Sequence, residues 1–335
     1  MRAVVVERPG AAELQRVPRP EPGPGEVLVR VAAAGICGSD VELLEGRRPP
    51  HFVRYPIIPG HEWAGTVEAV GPGVENVEEG AAVVAEGFRA CGDCARCREG
   101  LTNLCDAEYA ETGFTHSGAF AEYVCVPSHL VHRLPSGSDL AAAALLEPAA
   151  CVAQGLLEID LRPGLSVAVV GAGTVGLLAV ALLSRVSPKR LALVGTRAPR
   201  LELGRTMGAT ETWNVREGEY PPPGFDLVFE AAGTPSGART AVELARRGGT
   251  VILEGISGRP AEIDADAVVL GHLRVQGVFG ASRNAWLWVT ELFAVGLLDT
   301  EPLVSHSFPL EDHAAAFAAL TDRSGDALKV QLTPQ

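Results

Sequence analysis

Ser166-Val-Ala-Val-Val170 runs directly into Gly171-Ala-Gly173-Thr174-Val175-Gly176, and an apolar stretch then continues to Ser184. A short apolar run that stops at spaced glycines and resumes as a longer one predicts a buried strand, a tight turn and a helix. The glycines let the turn close and let backbone N–H groups approach a pyrophosphate at the helix N-terminus. The same rhythm follows downstream: Arg190-Leu-Ala-Leu-Val194 as strand, 198–207 as helix, Phe225-Asp-Leu-Val-Phe229 as strand, 236–246 as helix, Gly249-Thr-Val-Ile-Leu253 as strand. That alternation predicts an α/β fold with a doubly wound parallel sheet over residues 151–284. A glycine-rich helix entry without a ligand is the alternative, and its placement between strand and helix disfavours it.

In such a fold the second strand commonly ends in a carboxylate that holds the adenosine ribose. Here it ends Leu191-Ala-Leu-Val194-Gly195-Thr196-Arg197, with Arg200 one turn later and no acidic residue at the tip. Gly195 makes room, Thr196 offers a hydroxyl, and the two arginines offer positive charge to a 2′-phosphate. The expected cofactor is therefore NADP(H) in preference to NAD(H), unless Arg197 merely points into solvent.

The chain before residue 151 has a different texture. Pro18 to Gly25 is a stiff connector, Glu26-Val-Leu-Val-Arg-Val-Ala alternates as a half-buried strand, and Thr66 to Gly71 and Ala82-Val-Val-Ala85 are further strand candidates. Within it lies Cys91-Gly-Asp-Cys94-Ala-Arg-Cys97, followed by Cys105, the spacing C-x2-C-x2-C-x7-C. Four of the 7 cysteines fall in this one segment, which points to a closed structural zinc site of four thiolates rather than to four unrelated core residues. A disulfide framework is the weaker alternative. Met1-Arg-Ala-Val-Val-Val-Glu7-Arg8 lacks a leader pattern and cysteine is sparse elsewhere, so a reducing cytoplasm is expected. The longest weakly charged stretch, 165–183, is the strand, turn and helix described above, so no membrane span is expected. A formal charge of −13 argues against nucleic acid or an anionic membrane as the main partner. Of the other cysteines, Cys125 and Cys151 are expected to be packing residues.

Cys37-Gly-Ser39-Asp40 and Gly60-His61-Glu62 supply thiol, imidazole and carboxylate, a mixed donor set that suits a zinc with one open position. Taken singly, each residue has an ordinary explanation: a buried cysteine, a satisfied histidine, an ion-paired glutamate.

The run Gly60-His61-Glu62-x2-Gly65-x5-Gly71-x2-Val74 resembles the zinc alcohol dehydrogenase signature. With Cys37, the four-cysteine lobe and the nucleotide glycines, the chain resembles the zinc-dependent medium-chain dehydrogenase/reductase superfamily over essentially its whole length. Leu146-Glu147-Pro148 resembles its sorbitol and threonine dehydrogenase branch. The resemblance implies a GroES-like catalytic domain at 1–150 and 285–335, carrying the structural-zinc lobe at about 88–110, and a Rossmann cofactor domain at 151–284. It implies two zinc ions per chain. Cys37, His61 and Glu62 would hold the catalytic one, with Glu147 as fourth ligand or exchanging outer partner. The two glutamates are not ranked. Asp40 would orient the imidazole of His61.

The implied reaction moves a hydride between a secondary alcohol and the nicotinamide, with zinc lowering the pKa of the hydroxyl and Ser39 passing its proton outward. Many relatives carry a histidine five residues past the metal cysteine; this chain has Glu42, and His51 is a weak substitute. Polyols, cyclitols and amino-alcohols are the implied substrates, and Trp63 is similar to a feature of aminocyclitol-oxidising enzymes. Phe88, Phe114, Trp286 and Trp288 are pocket candidates, although aromatics are core residues by default. A homodimer or homotetramer joined through the nucleotide domains is expected. A zinc-free enone or quinone reductase of the same fold and a non-catalytic binding protein are the competing readings.

Overall fold

The structure is a computed structural model that describes residues 1–322 and 325–334. Two compact units form, one from Met1–Ala150 with Ala281–Gln335 and one from Cys151–Gly280.

The first unit is built around a seven-stranded sheet. Along its path the strands run Val304–Pro309, Lys329–Thr333, Glu26–Gly35, Glu62–Val70, Ala82–Ala85 and Val131–Arg133, and Tyr123–Pro127 pairs onto Glu26–Gly35. Pairing is antiparallel except between Val304–Pro309 and Lys329–Thr333, which run parallel. Val27, Val29 and Val31 on one strand, Val67, Val124 and Val126 on its neighbours and Val83 one strand further out are all buried, so alternate positions feed one core. Strand Arg2–Arg8, whose Ala3 to Val6 are buried, pairs with Ala11–Arg16. The sequence pattern showed neither of these strands, because their apolar run is short and flanked by charge.

Register in this sheet decides the catalytic neighbourhood. Gly35 faces Glu62 on one side and Gln331 on the other. A Cβ at Gly35 would collide with the Glu62 carboxylate and press on the Lys329 side chain. The missing side chain thus leaves room for a buried charge pair across the strand.

The second unit holds a six-stranded, all-parallel sheet in the order Glu211–Asn214, Arg190–Gly195, Ser166–Val170, Phe225–Glu230, Ala245–Leu253, Arg274–Gly277. The chain starts at Ser166–Val170, works outward in one direction, then returns to Phe225–Glu230 and works outward in the other. That reversal is the topological switch point at which open α/β sheets bind ligands. Helix Thr174–Ser184 follows the first strand, and its Gly176 to Leu183 are all buried. The helix Pro235–Leu244 stops two residues earlier than the pattern suggested, because Ala245 already opens the next strand.

Candidate active site and dinucleotide site

Cys37 stands at the N-cap of the short helix Gly38–Glu45. Asp40, at the third helical position, accepts a hydrogen bond from the Cys37 backbone N–H through Oδ2 at 2.9 Å, an arrangement that satisfies one of the N–H groups a helix start leaves open. Gly46 closes the helix in the left-handed region, φ 72°. The helix therefore fixes Cys37, Ser39 and Asp40 in one turn. His61 lies in the connection that leads into strand Glu62–Val70, and Glu62 opens that strand.

One donor atom from each of Cys37, His61 and Glu62 lies within 4.8 Å of the others. Zn–S near 2.3 Å and Zn–N or Zn–O near 2.0–2.2 Å put tetrahedral ligand atoms about 3.3–3.8 Å apart, so the set is of metal-binding size. Asp40 is fully buried, and its Oδ1 lies 3.5 Å from Nδ1 of His61. Both atoms are buried and lack a hydrogen-bond partner among the described residues, and they face each other. On the other side of the ring, Ser39 Oγ lies 3.5 Å from Nε2. Burial alone would lower the His61 pKa, but Asp40, Cys37 and Glu147 together push it well above the usual value. A buried site this rich in anions calls for a cation.

Glu62 is also claimed by another group. Lys329, from the far end of the chain, donates to Glu62 Oε2 at 2.5 Å and to the Ile36 carbonyl at 3.4 Å. Lys329 and Glu62 are 4% and 1% exposed. Glu147 sits in the first turn of helix Leu146–Leu157, outside the group of three. Part of it stays accessible, yet surrounding protein pushes its carboxyl up to about 8, with Glu62 and Glu111 adding to the rise and His61 and Lys329 opposing it.

The four-cysteine segment folds so that all four sulfurs lie within 4.8 Å of one another. Cys91 Sγ is 4.0 Å from Cys97 Sγ, and Cys94 Sγ is 3.9 Å from Cys105 Sγ. A tetrahedron of four sulfurs around zinc has edges of about 3.8 Å. Backbone N–H groups of Asp93 and Cys94, with Cys105, bring the Cys91 thiol down to about 7. Partial burial and the neighbouring thiols push Cys97 up to about 12. These sulfurs do not share negative charge comfortably without a cation, so the donor set fits zinc.

In the second unit a cavity of about 390 Å³ opens at the switch point. Val170, Gly171 and Gly173, then Gly195, Thr196, Arg197 and Arg200, then Val215 and Tyr220, then Ala231, Ala232, Thr234 and Ser236 line it. Gly171 has φ 112°, and a Cβ there would strike the Ala232 backbone at 2.5 Å. Gly176 packs against the Gly171 carbonyl with no space for a side chain. A Cβ at Gly173, the helix N-cap, would meet nothing within 4 Å, which is the open approach a pyrophosphate needs. Thr174 and Val175 begin the helix whose N–H groups point there. The group therefore fits a dinucleotide.

Two family models match the chain, "Alcohol dehydrogenase GroES-like domain" over residues 23–136 and "Zinc-binding dehydrogenase" over residues 174–294. An L-threonine 3-dehydrogenase of Bacillus subtilis is 34% identical over 96% of this chain and 95% of its own. A sorbitol dehydrogenase of the same organism is 31% identical over 100% and 97%. A crystal structure from Sinorhizobium meliloti bound to NADP superposes with a TM-score of 0.92, at 31% identity over 99% of each chain. The chain belongs to the zinc-type medium-chain alcohol dehydrogenase family, and its two units have the GroES-like and Rossmann folds. It is an NAD(P)-dependent oxidoreductase acting on alcohols.

Several sequence candidates take other places. Glu42 pairs with Arg47 at 3.5 Å, and His51 is exposed beside Phe52. Trp63 is a core residue, 3% exposed. Trp286 is buried and stacks on His132 at 5.5 Å. Phe88 sets its edge against Tyr109, and Trp288 is half-buried. Phe114 does reach the site, with its ring centroid 4.7 Å from that of His61. Cys125, 3.5 Å from Glu26 and pushed up to about 12 by burial, packs within its strand. Sequence reasoning missed Lys329, Glu111 and Glu230. Glu230 alone left a signal, an acid ending the buried strand Phe225–Glu230, where it accepts the N–H groups of Ala232 and Gly233 at 2.9 and 3.1 Å.

Proposed function

We infer that the protein is a dehydrogenase of secondary alcohols of polyol, cyclitol or amino-alcohol type, with two zinc ions per chain and a preference for NADP(H). Cys37 and His61 would hold the catalytic ion with a carboxylate from Glu62 or Glu147, and Cys91, Cys94, Cys97 and Cys105 the structural one. The convergence of thiol, imidazole and carboxylate within 4.8 Å carries this reading. When bound, zinc supplies Lewis acidity to a substrate hydroxyl and the nicotinamide accepts or returns the hydride.

The chain's own groups supply the rest. Asp40 holds the His61 imidazole in orientation from behind. Ser39 Oγ, on the Nε2 side of the ring, accepts the hydroxyl proton and passes it outward. With Glu42 engaged by Arg47, water is the next acceptor. Lys329 holds one oxygen of Glu62 and offsets its charge. In the nucleotide cavity, Gly171, Gly173 and Gly176 would admit the pyrophosphate, and Gly195, Thr196, Arg197 and Arg200 would hold the adenosine ribose, with Arg197 and Arg200 able to balance a 2′-phosphate.

Assembly as a homodimer or homotetramer is supported by the edge strand Arg274–Gly277, all four of whose residues are exposed. Beside it, helix Ala265–Gly271 leaves Val269 and Leu270 each 74% exposed. Among the described residues no helix is long and apolar enough to cross a membrane; a cytoplasmic location is part of the proposal.

Metal analysis with a substrate panel tests the reading. Two zinc ions per chain and turnover of secondary alcohols are expected. Cys37→Ser should lose one ion and turnover while keeping NADPH binding. One ion in the wild type, with enone reduction or no turnover, would favour the zinc-free reductase or the silent protein instead.

A further inference from the structure

The geometry points to Arg48 as a reader of an anionic group on the alcohol substrate, a carboxylate or a phosphate; this deepens the dehydrogenase reading above and rests on it.

Arg48 follows the first-unit helix that carries Cys37 and Ser39. Its guanidinium lies over the Phe114 ring at 3.6 Å, and that ring packs on the His61 imidazole at 4.7 Å. The cation therefore stands two ring contacts from a proposed metal ligand. Nε donates to the Phe52 carbonyl at 3.1 Å, and Nη2 donates to Tyr109 Oη at 2.9 Å. Nη2 also reaches Glu111 Oε2, but at 3.4 Å and from one nitrogen only. Nη1 has no partner among the described residues, and it is not sealed from solvent. The side chain as a whole is only 10% exposed.

A nearly buried guanidinium normally uses its planar fork on a carboxylate with two parallel bonds. This one does not. Carbonyl, phenol and aromatic face fix its plane, while one end of the fork stays open. Its single carboxylate partner offsets the charge only in part: burial pushes Glu111 up to about 7, against the pull of His61 and Arg48. The result is an oriented, incompletely neutralised cation separated from His61 by one aromatic ring. A neutral polyol would leave that charge unused. An anion at Nη1 would complete the fork.

The test uses the zinc-loaded protein and a matched set: butane-1,3-diol, its 1-phosphate and 3-hydroxybutyrate. The readout is the ratio of kcat/KM for each anionic alcohol to that for the diol. Wild type should prefer at least one anion, and the phosphate and carboxylate arms identify which. Arg48→Gln should cut that ratio about 10–100-fold, mainly through KM, the scale of one lost charged hydrogen bond. Arg48→Lys should cut it less, because the charge remains without the fork. Glu111→Gln should raise it severalfold by removing the competing carboxylate. A wild type with no preference for either anion overturns the inference. So does a ratio that Arg48→Gln leaves unmoved while the diol loses kcat equally, since that marks a prop behind Phe114 and His61. If Arg48→Gln does not fold, failure of Glu111→Gln to raise the ratio overturns it. Absence of turnover on all three alcohols counts against the dehydrogenase reading. Saturation-transfer NMR then decides this inference: transfer to either anion from wild type and its loss in Arg48→Gln support it, and no transfer overturns it.

Discussion

Replacing Lys329 with methionine isolates the buried pair behind the proposed catalytic site. Methionine keeps the length of the stem and removes the charge. Glu62, 1% exposed, then loses the ammonium at 2.5 Å that compensates it. Breaking one partner of a buried pair costs about 3–5 kcal/mol, because the remaining charge stays desolvated. For a unit of this size each kcal/mol moves the melting temperature by roughly 2–4 °C, so Lys329→Met should melt about 10 °C below wild type at fixed zinc. Glu62→Gln alone should also destabilise, by stranding the ammonium among the buried residues. The double variant removes both charges and should recover most of the loss, giving a coupling of about 3 kcal/mol or more in a double-mutant cycle. Differential scanning calorimetry on the four proteins supplies the comparison. A Lys329→Met protein within about 1 kcal/mol of wild type, or a double variant no better than either single, would refute the account of Glu62 as a charge that depends on Lys329.

Cys94→Ser should bind one zinc fewer by metal analysis and make the segment around Cys91 to Cys105 the first site of limited proteolysis, while Cys37→Ser should lose the other ion and leave that segment protected. Glu111 gives a pH signature. Its folded carboxyl lies at about 7 against an ordinary 4.5, so the stability its protonated form contributes is present in acid and lost as pH rises between those values. Wild type should therefore lose up to about 3 kcal/mol relative to Glu111→Gln over that window in urea titrations, and parallel curves would sink the idea. Arg197→Ala should raise KM for NADP+ about tenfold or more and leave KM for NAD+ nearly unchanged in steady-state kinetics. Glu230→Ala removes the acceptor that holds the N–H groups of Ala232 and Gly233, where Ala232 lines the nucleotide cavity. It should weaken both cofactors alike, by about tenfold in fluorescence titrations.

Helix Thr174–Ser184 and strand Ala82–Ala85 have the same limits in the sequence pattern and in the structure. The helix starts after the extended N-cap Gly173 and buries Gly176 to Leu183, and three of the four strand residues are buried. Helix Gly38–Glu45 left no apolar pattern, since only Asp40 and Leu43 of its side chains are buried. A cap and a glycine stop define it instead. The aromatics divided for the same reason. Phe114 faces His61 while Trp286 stacks on His132, and nothing in the local composition distinguishes a ring beside a site from a ring in the core.

What the sequence determined by itself is local. Glycines at 171, 173 and 176 are needed where a turn must close and a helix end must stay open. Cysteines separated by two residues are brought within reach of one ion by the turn between them. Alternation of strand and helix dictates a parallel sheet, because each crossover must return across its face. The tertiary structure decided everything that depends on pairing across the chain. Lys329 finds Glu62 across 267 residues only because their strands flank Glu26–Gly35, where Gly35 has no side chain to stand between them. Arg48 meets Glu111 across 63 residues while its guanidinium lies over the Phe114 ring. A charge has no preferred partner until burial strips it of water, and which charges are buried together is a property of the packed sheet, not of any short stretch of chain.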